Sequence, residues 1–253
     1  MFLYVQDKVV DFCAALRFLT IFPLSWRQED DFSHLQRSIV WFPSVGAMIG
    51  GVGALLAWIM TLFASPAVTA IVLLCYLAFV SNCMHLDGIA DSADGLLSAR
   101  SRERSLEIMK DSRIGAMGAA VLILFLLAKF AALLSISAAE LPATLFFMPF
   151  AGRCAMLFSL GTMQYARAEG GIGGLFYNSN VKKYAIIAVL FLVGTLCLIY
   201  GYRGLIVFVG ILPGFMLLRR KSILVLGGAT GDIIGAQCEL AELMTALTVS
   251  FLF

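Results

Sequence analysis

Long apolar runs alternate with short polar connections along almost the whole chain, and their lengths set the first expectation. A hydrocarbon layer about 30 Å thick takes about 20 apolar residues of helix. The runs that approach this length are Pro43 to Phe63, Pro66 to Met84, Ile114 to Ala138, Pro142 to Met163, Tyr184 to Tyr200, Gly204 to Leu218 and Leu240 to Phe253. They predict about seven spans, six to eight, because the last three runs are short and two of the seven can be re-entrant. The expected fold class is all-α, a polytopic integral membrane helical bundle forming one domain over residues 1–253. Within the first run Gly46 and Gly50 stand four apart, the spacing at which two helices approach closely.

Ahead of the runs lies a segment of 42 residues in which Asp7, Lys8, Asp11 and Arg17 interrupt the apolar positions. Residues 7–22 predict an amphipathic helix along the membrane interface. The same charges, with no small-residue cleavage site after them, argue against a signal peptide.

Composition agrees with the pattern. Hydrophobic residues make up 61% of the 253, charged residues 13%, and the mean hydropathy is +0.94, outside the range of a soluble globular domain. Of the 18 basic residues, 15 lie in the N-terminal segment and in loops on one side, Arg203 lies on the other, and Lys129 and Arg153 lie inside runs. Basic residues are retained in the cytoplasm, so the N terminus and the polar loops are expected to face the cytoplasm across an inner membrane. The net charge of +2, without a basic tail, gives no reason to expect nucleic acid. The six cysteines are scattered with no CxxC pair and read as small core residues rather than ligands or disulfides.

Polar chemistry concentrates in residues 85–113, within HLDGIADSADGLLSARSRERSLEIMKDSRIGAMG. A helix starting near Leu86 puts Asp87, Asp91 and Asp94 on one face, since the 4 and 3 spacings nearly close a turn. Three carboxylates on one stripe repel, and a hard divalent cation such as Mg2+, completed by substrate phosphates, is the natural counter-charge. The opposing reading, a solvated mixed-charge face, is weakened because no base lies among these three acids. Gly88 and Gly95 each follow an acid, as expected where backbone approaches a ligand or metal. His85 falls on the opposite side of the helix and reads as a structural or a catalytic histidine. Arg100, Lys110 and Arg113 supply guanidinium and ammonium groups for a diphosphate, whereas Arg102 and Arg104 are expected to face water or headgroups.

Three further places add to this. Arg153, half-way into its run, is expected to point into a polar cavity toward the carboxylates, and Lys129 less so. The loop RAEGGIGGLFYNSN, with Glu169, four glycines and Asn178, suits a lid or a plain connector equally. Residues 227–243, GGATGDIIGAQCELAEL, carry Asp232, Glu239 and Glu242 without a base, and Asp232 and Glu239 fall about 20° apart on a helix. A second acidic group converging on the first would complete a metal and phosphate site.

These segments, together with YARAEGG, resemble the corresponding segments of the cobalamin synthase family, the adenosylcobinamide-GDP ribazoletransferases, in order and spacing over nearly the whole chain. The resemblance implies an Mg2+-dependent transferase that joins adenosylcobinamide-GDP to alpha-ribazole, or its 5'-phosphate, and releases GMP at a membrane. Carried over by position, it implies metal ligation by Asp87, Asp91 and Asp94 with Asp111 or Asp232. It places a basic and acidic turn at Lys110, Asp111 and Arg113, and a distal motif at Thr230, Asp232 and Glu239, with Arg100 and Thr230 on the substrate diphosphate. Arg100, Lys110, Arg113 and Arg153 would neutralise phosphate oxygens, and His85, Asp232 or Glu239 would serve as general base. Association with itself or with other enzymes of cobalamin assembly is a further expectation.

Three other readings fit less well. CDP-alcohol phosphotransferases run DGxxAR, whereas three residues separate Gly95 from Ala99 here. Intramembrane prenyltransferases use different acidic spacings. Transporter carboxylates lie near the midplane in matched repeats, and here they gather at one end of the runs.

Overall fold

The computed structural model describes residues 2–23, 31–167, 172–177 and 180–253, and all regular structure among them is helical apart from one isolated backbone bridge. Eleven α-helices follow in order: α1 (Phe2–Leu19), α2 (Asp31–Arg37), α3 (Phe42–Phe63), α4 (Pro66–Val80), α5 (Met84–Leu97), α6 (Arg102–Ile108), α7 (Ala116–Ser135), α8 (Leu141–Thr162), α9 (Val181–Tyr200), α10 (Arg203–Leu226) and α11 (Gly231–Leu252). Short 3-10 turns occupy Ser38–Trp41 and Ile172–Phe176.

Helix α8 is the axis. It is buried nearly all round, as an apolar helix inside a bundle must be, with α3 and α11 packed on it. Gly46 and Gly50 let α3 approach: a Cβ at Gly46 would stand 2.5 Å from the Pro149 carbonyl oxygen, and one at Gly50 would collide with the Phe146 carbonyl. The small-residue spacing is therefore a backbone contact. The outer helices turn Leu124, Leu127, Leu190, Phe191 and Leu198 outward, the surface a bilayer covers.

Four helices are long and apolar enough to cross a membrane: Ser33–Phe63, Ala116–Ser135, Leu141–Thr162 and Val181–Tyr200. A fifth span results if α4 and α5 count together, but they bend by 86° at their junction. Length and apolarity alone thus pick out four or five candidate spans among the described residues, where about seven were expected. The apolar run from Pro66 is cut at Val80, where Asn82 and Cys83 take left-handed φ of 51° and 55° and turn the chain. Helices α10 and α11, at 24 and 22 residues, have the length, but Arg219, Arg220 and Lys221 charge the first. Asp232, Glu239 and Glu242 charge the second, whose flanks are covered by protein.

The N-terminal helix is present and one of its faces packs on the bundle. Ala14, Ala15 and Leu19 are in the core, and Asp11 is buried, accepting from His34 Nδ1 at 2.8 Å and Arg37 Nε at 3.3 Å. That polar clasp holds α1 to α2 and brings Phe18 into the bundle.

Candidate active site

Helix α5 carries the acidic stripe as its spacing requires. His85, Leu86, Gly88, Ile89, Ala90, Ser92, Ala93, Gly95 and Leu96 are buried, and Asp87, Asp91 and Asp94 occupy the open face. Asp94 has a local role: its two oxygens accept from the backbone N–H groups of Gly115 at 2.7 Å and Gly118 at 2.8 Å. A carboxylate there satisfies otherwise unpaired donors at the start of α7 and meets the positive end of its dipole. Of the three expected α5 ligands, Asp94 is a cap, which leaves Asp87 and Asp91 the less committed.

The second acidic group begins at the N-terminus of α11. Thr230 is fully buried; its hydroxyl accepts from Ile233 N at 3.3 Å and donates to Asp232 Oδ2 at 3.1 Å. Instead of lying open to a diphosphate, Thr230 caps α11 and aims Asp232. Arg167 Nη2 donates to the same oxygen at 2.9 Å. Residues 164–166 are stitched to this turn: Ala229 N donates to Gln164 O at 2.8 Å and Ala166 N to Ala229 O at 2.9 Å. Arg102, expected to face water or headgroups, is exposed and also donates to Leu226 O at 2.8 Å and Ala166 O at 2.6 Å, tying the start of α6 to the same junction.

Helices α5 and α11 touch at Gly88. A Cβ there would stand 2.6 Å from the Asp232 carbonyl oxygen and 3.3 Å from Ala236 N. The glycine after Asp87 thus admits another helix rather than a ligand, and Gly95 likewise faces the Met109 side chain. The contact sets Asp87, Asp232 and His85 around one cavity of about 190 Å³, whose remaining wall is apolar and aromatic. His85 is 1% exposed, and neither ring nitrogen has a hydrogen-bond partner. Asp91 feels Asp87, Asp232 and Asp94 as like charges, with Arg167 opposing them.

Two expected site residues lie elsewhere. Arg153 donates to Glu242 at 2.7 Å, and Lys129 donates to Glu239 and Glu242 at 2.7 Å each, all with side chains no more than 2% exposed. Arg153 therefore does not point to the α5 carboxylates, and Glu239 is not available as a general base at the cavity. The helical wheel gave Asp232 and Glu239 a common face, but seven residues of helix put them roughly 10 Å apart along the axis. The other cations are on the surface: Arg100, Lys110 and Arg113 are exposed, and Arg113 grips Asp111 through Nε at 3.0 Å and Nη2 at 2.7 Å. The hydrogen bonds from Arg113 hold the Asp111 carboxyl down at about 2, as an exposed ion pair outside the cavity. Glu169 and Asn178 of the expected lid lie outside the described residues.

Arg167, Arg102 and Lys129 are the structural participants that sequence reasoning did not assign. The signal for the first was its position in YARAEGG, a basic residue against a glycine run.

No group of three or more His, Cys, Asp or Glu is drawn together around a metal-sized space among the described residues. The donor chemistry nonetheless suits a hard cation: Asp87, Asp91 and Asp232 offer only oxygen, carry like charge, and Mg2+ typically takes one or two carboxylates and completes its shell from water and phosphate.

The sequence matches the family described as Cobalamin-5-phosphate synthase over residues 11–250. A protein of Acetivibrio thermocellus named adenosylcobinamide-GDP ribazoletransferase is 35% identical over 226 residues, which is 89% of this chain and 91% of that protein. One of the same name from Desulfitobacterium hafniense is 37% identical over 237 residues, 92% of this chain and 93% of that protein. No solved structure matches.

Proposed function

The chain belongs to the cobalamin-5-phosphate synthase family, and we propose that it is an adenosylcobinamide-GDP ribazoletransferase, joining adenosylcobinamide-GDP to alpha-ribazole or its 5'-phosphate and releasing GMP. The observation that carries this beyond likeness is the meeting of Asp87 and Asp232, 145 positions apart in the chain, on one cavity beside an unpartnered histidine.

The acceptor's 5'-oxygen attacks the phosphorus next to the cobinamide, the bond from that phosphorus to the bridging oxygen breaks, and the bridging oxygen departs on GMP. Such a transfer needs positioning and charge neutralisation more than covalent help. His85, which lines the cavity and whose two ring nitrogens are buried without partners, would take the hydroxyl proton once the substrate is seated. Arg167, anchored on Asp232, lies where a guanidinium can meet a phosphate oxygen, a role the exposed Arg100, Lys110 and Arg113 take only at the rim. Mg2+ would be held by Asp87, Asp91 and Asp232, and bound there it would neutralise the diphosphate and stabilise the departing GMP.

The site opens on the cytoplasmic side of an inner membrane. Arg37, Lys182, Lys183, Arg219, Arg220 and Lys221 support this, because they belong to the helix ends that surround the site, while Arg203 stands at the far end. GMP release by purified protein from adenosylcobinamide-GDP and alpha-ribazole, with Mg2+ or with EDTA, tests the reading. Release that requires both alpha-ribazole and Mg2+ is expected. No release, or turnover of CDP-diacylglycerol instead, refutes it.

A further inference from the structure

The cavity is lined by two chemically distinct sets of side chains. One set is His85, Asp87 and Asp232; the other is three phenylalanines from distant parts of the chain, Phe18 of α1, Phe42 of α3 and Phe176 of the 3-10 turn. Their rings form a closed trio: Phe18 and Phe42 stack at 6.0 Å and 22°, Phe18 and Phe176 meet at 5.2 Å, and Phe42 and Phe176 at 5.4 Å edge-on. Met156, Leu160 and Ile234 add apolar side chains to the lining, and Gly173, Gly231 and Gly235 contribute backbone. A volume of about 190 Å³ is smaller than the roughly 300–1,000 Å³ of clefts that take whole ligands. It suits one planar group of a larger substrate.

We propose that the aromatic set holds the heterocyclic base of the acceptor nucleoside, a bicyclic ring with an apolar outer edge, while its ribose lies toward Asp87, Asp232 and His85. The proposal rests on the ribazole-transfer reading and adds which substrate enters here. Guanine is the competing planar group, but its edge carries several donors and acceptors. A donor or acceptor buried without a partner is costly, and the three phenylalanine rings provide none. A fused benzene ring leaves nothing unpaired there and meets Phe18, the partly exposed ring of the three, with the buried Phe42 and Phe176 backing it. With the base seated, the sugar is the part of the nucleoside left for the polar set, which places a 5'-hydroxyl within the reach of His85. The corrinoid and the guanosine then remain outside, toward the open face of α5.

Phe176→Ala and Phe176→Leu, with Phe18→Leu, test this in the full-length protein in nanodiscs. GMP release is measured against varied alpha-ribazole and, separately, varied adenosylcobinamide-GDP. Binding of alpha-ribazole alone is followed by equilibrium dialysis. Loss of a stacking ring should raise the alpha-ribazole KM and dissociation constant at least roughly tenfold with the adenosylcobinamide-GDP KM unchanged. The unchanged donor KM also shows that each variant is folded. The leucine variants keep the apolar volume and lose the ring faces, so a shift in them identifies stacking, and wild-type behaviour in them overturns it. Guanosine or GMP displacing alpha-ribazole from the wild-type protein at equal concentration, or variants that raise the donor KM instead, would assign the cavity to guanine and overturn the proposal while leaving the transferase reading intact. A protein that turns over other substrates but neither binds alpha-ribazole nor releases GMP would end both.

Discussion

Lys129 offers the sharpest quantitative test of how the bundle is held. Its ammonium lies 2.7 Å from both Glu239 and Glu242, Arg153 lies 2.7 Å from Glu242, and the four side chains are 1–2% exposed. Two cations and two carboxylates balance, so the group is neutral as a whole. Lys129→Met removes one cation and leaves a net negative charge in an interior where no water replaces it. Breaking a buried pair by deleting one partner costs about 3 to 5 kcal/mol. For a chain of this size that corresponds to a fall of about 6 to 20 °C in Tm. Glu239→Gln leaves the opposite imbalance and should lose a comparable amount. Joining the two changes restores neutrality around the remaining Arg153 and Glu242 contact, so the double variant should recover about 2 kcal/mol or more relative to the sum of the singles.

The assay is the loss of the monodisperse gel-filtration peak after heating in mild detergent, run on wild type, both singles and the double. Additive losses would mean that the four charges do not act as one group, and single variants within about 2 °C of wild type would mean that burial in a bilayer protein costs far less than the geometry implies. The same singles should lower GMP release more than stability alone accounts for. Glu239 and Glu242 fix the register of α11 against α7 and α8, and Asp232 is carried on that helix.

Four other outcomes follow from particular contacts. Gly88→Ala inserts a Cβ 2.6 Å from the Asp232 carbonyl, and a displacement of about 1 Å at a reacting centre can cost roughly a hundredfold, so GMP release should fall by that order with membrane insertion normal. Asp91→Asn should abolish turnover and leave insertion intact; near-normal activity in that variant would remove the metal proposal. Asp94→Ala loses the acceptor for Gly115 and Gly118 at the start of α7 and should cost about 1 to 2 kcal/mol, read as a Tm shift. Arg167→Lys keeps the charge but loses the planar fork, so kcat should drop while detergent stability holds.

Some of this was legible from residue order. The 4 and 3 spacing of Asp87, Asp91 and Asp94 specifies a face once a helix is assumed, and Met84–Leu97 is that helix. Pro43, Pro66 and Pro142 sit in the first turns of α3, α4 and α8, where their fixed φ and missing N–H do no harm. What could not be read is which buried charge meets which. Arg153 and Lys129 stand out as mid-run charges, but a wheel gives direction and not partner, and their carboxylates lie 89 to 113 positions away. The anchoring of the exposed Arg102 was hidden for the same reason: its acceptors are backbone carbonyls 64 and 124 positions distant, which no side-chain pattern marks. A count by hydropathy passes over α11 because of its three acids, although protein neighbours bury Glu239 and Glu242.

The two charged regions differ in balance, and that difference bears on where a cation is required. Deep in the bundle, two acids and two bases cancel among themselves, and their contacts are already made. At the mouth, Asp87, Asp91, Asp94 and Asp232 act on one another with Arg167 as the opposing cation, which leaves three formal negative charges. The dipole of α7 offsets part of the charge on Asp94 alone. Packing does not relieve the remainder, because Gly88 holds the two acidic helices in backbone contact. A divalent ion bound at the mouth, as proposed, would therefore have a second effect besides chemistry: it would stabilise the contact between α5 and α11. Wild type should gain thermal stability from millimolar Mg2+ without any substrate, and Asp87→Asn combined with Asp232→Asn should abolish that gain. An equal Mg2+ effect in the double variant would place the ion somewhere else on the protein.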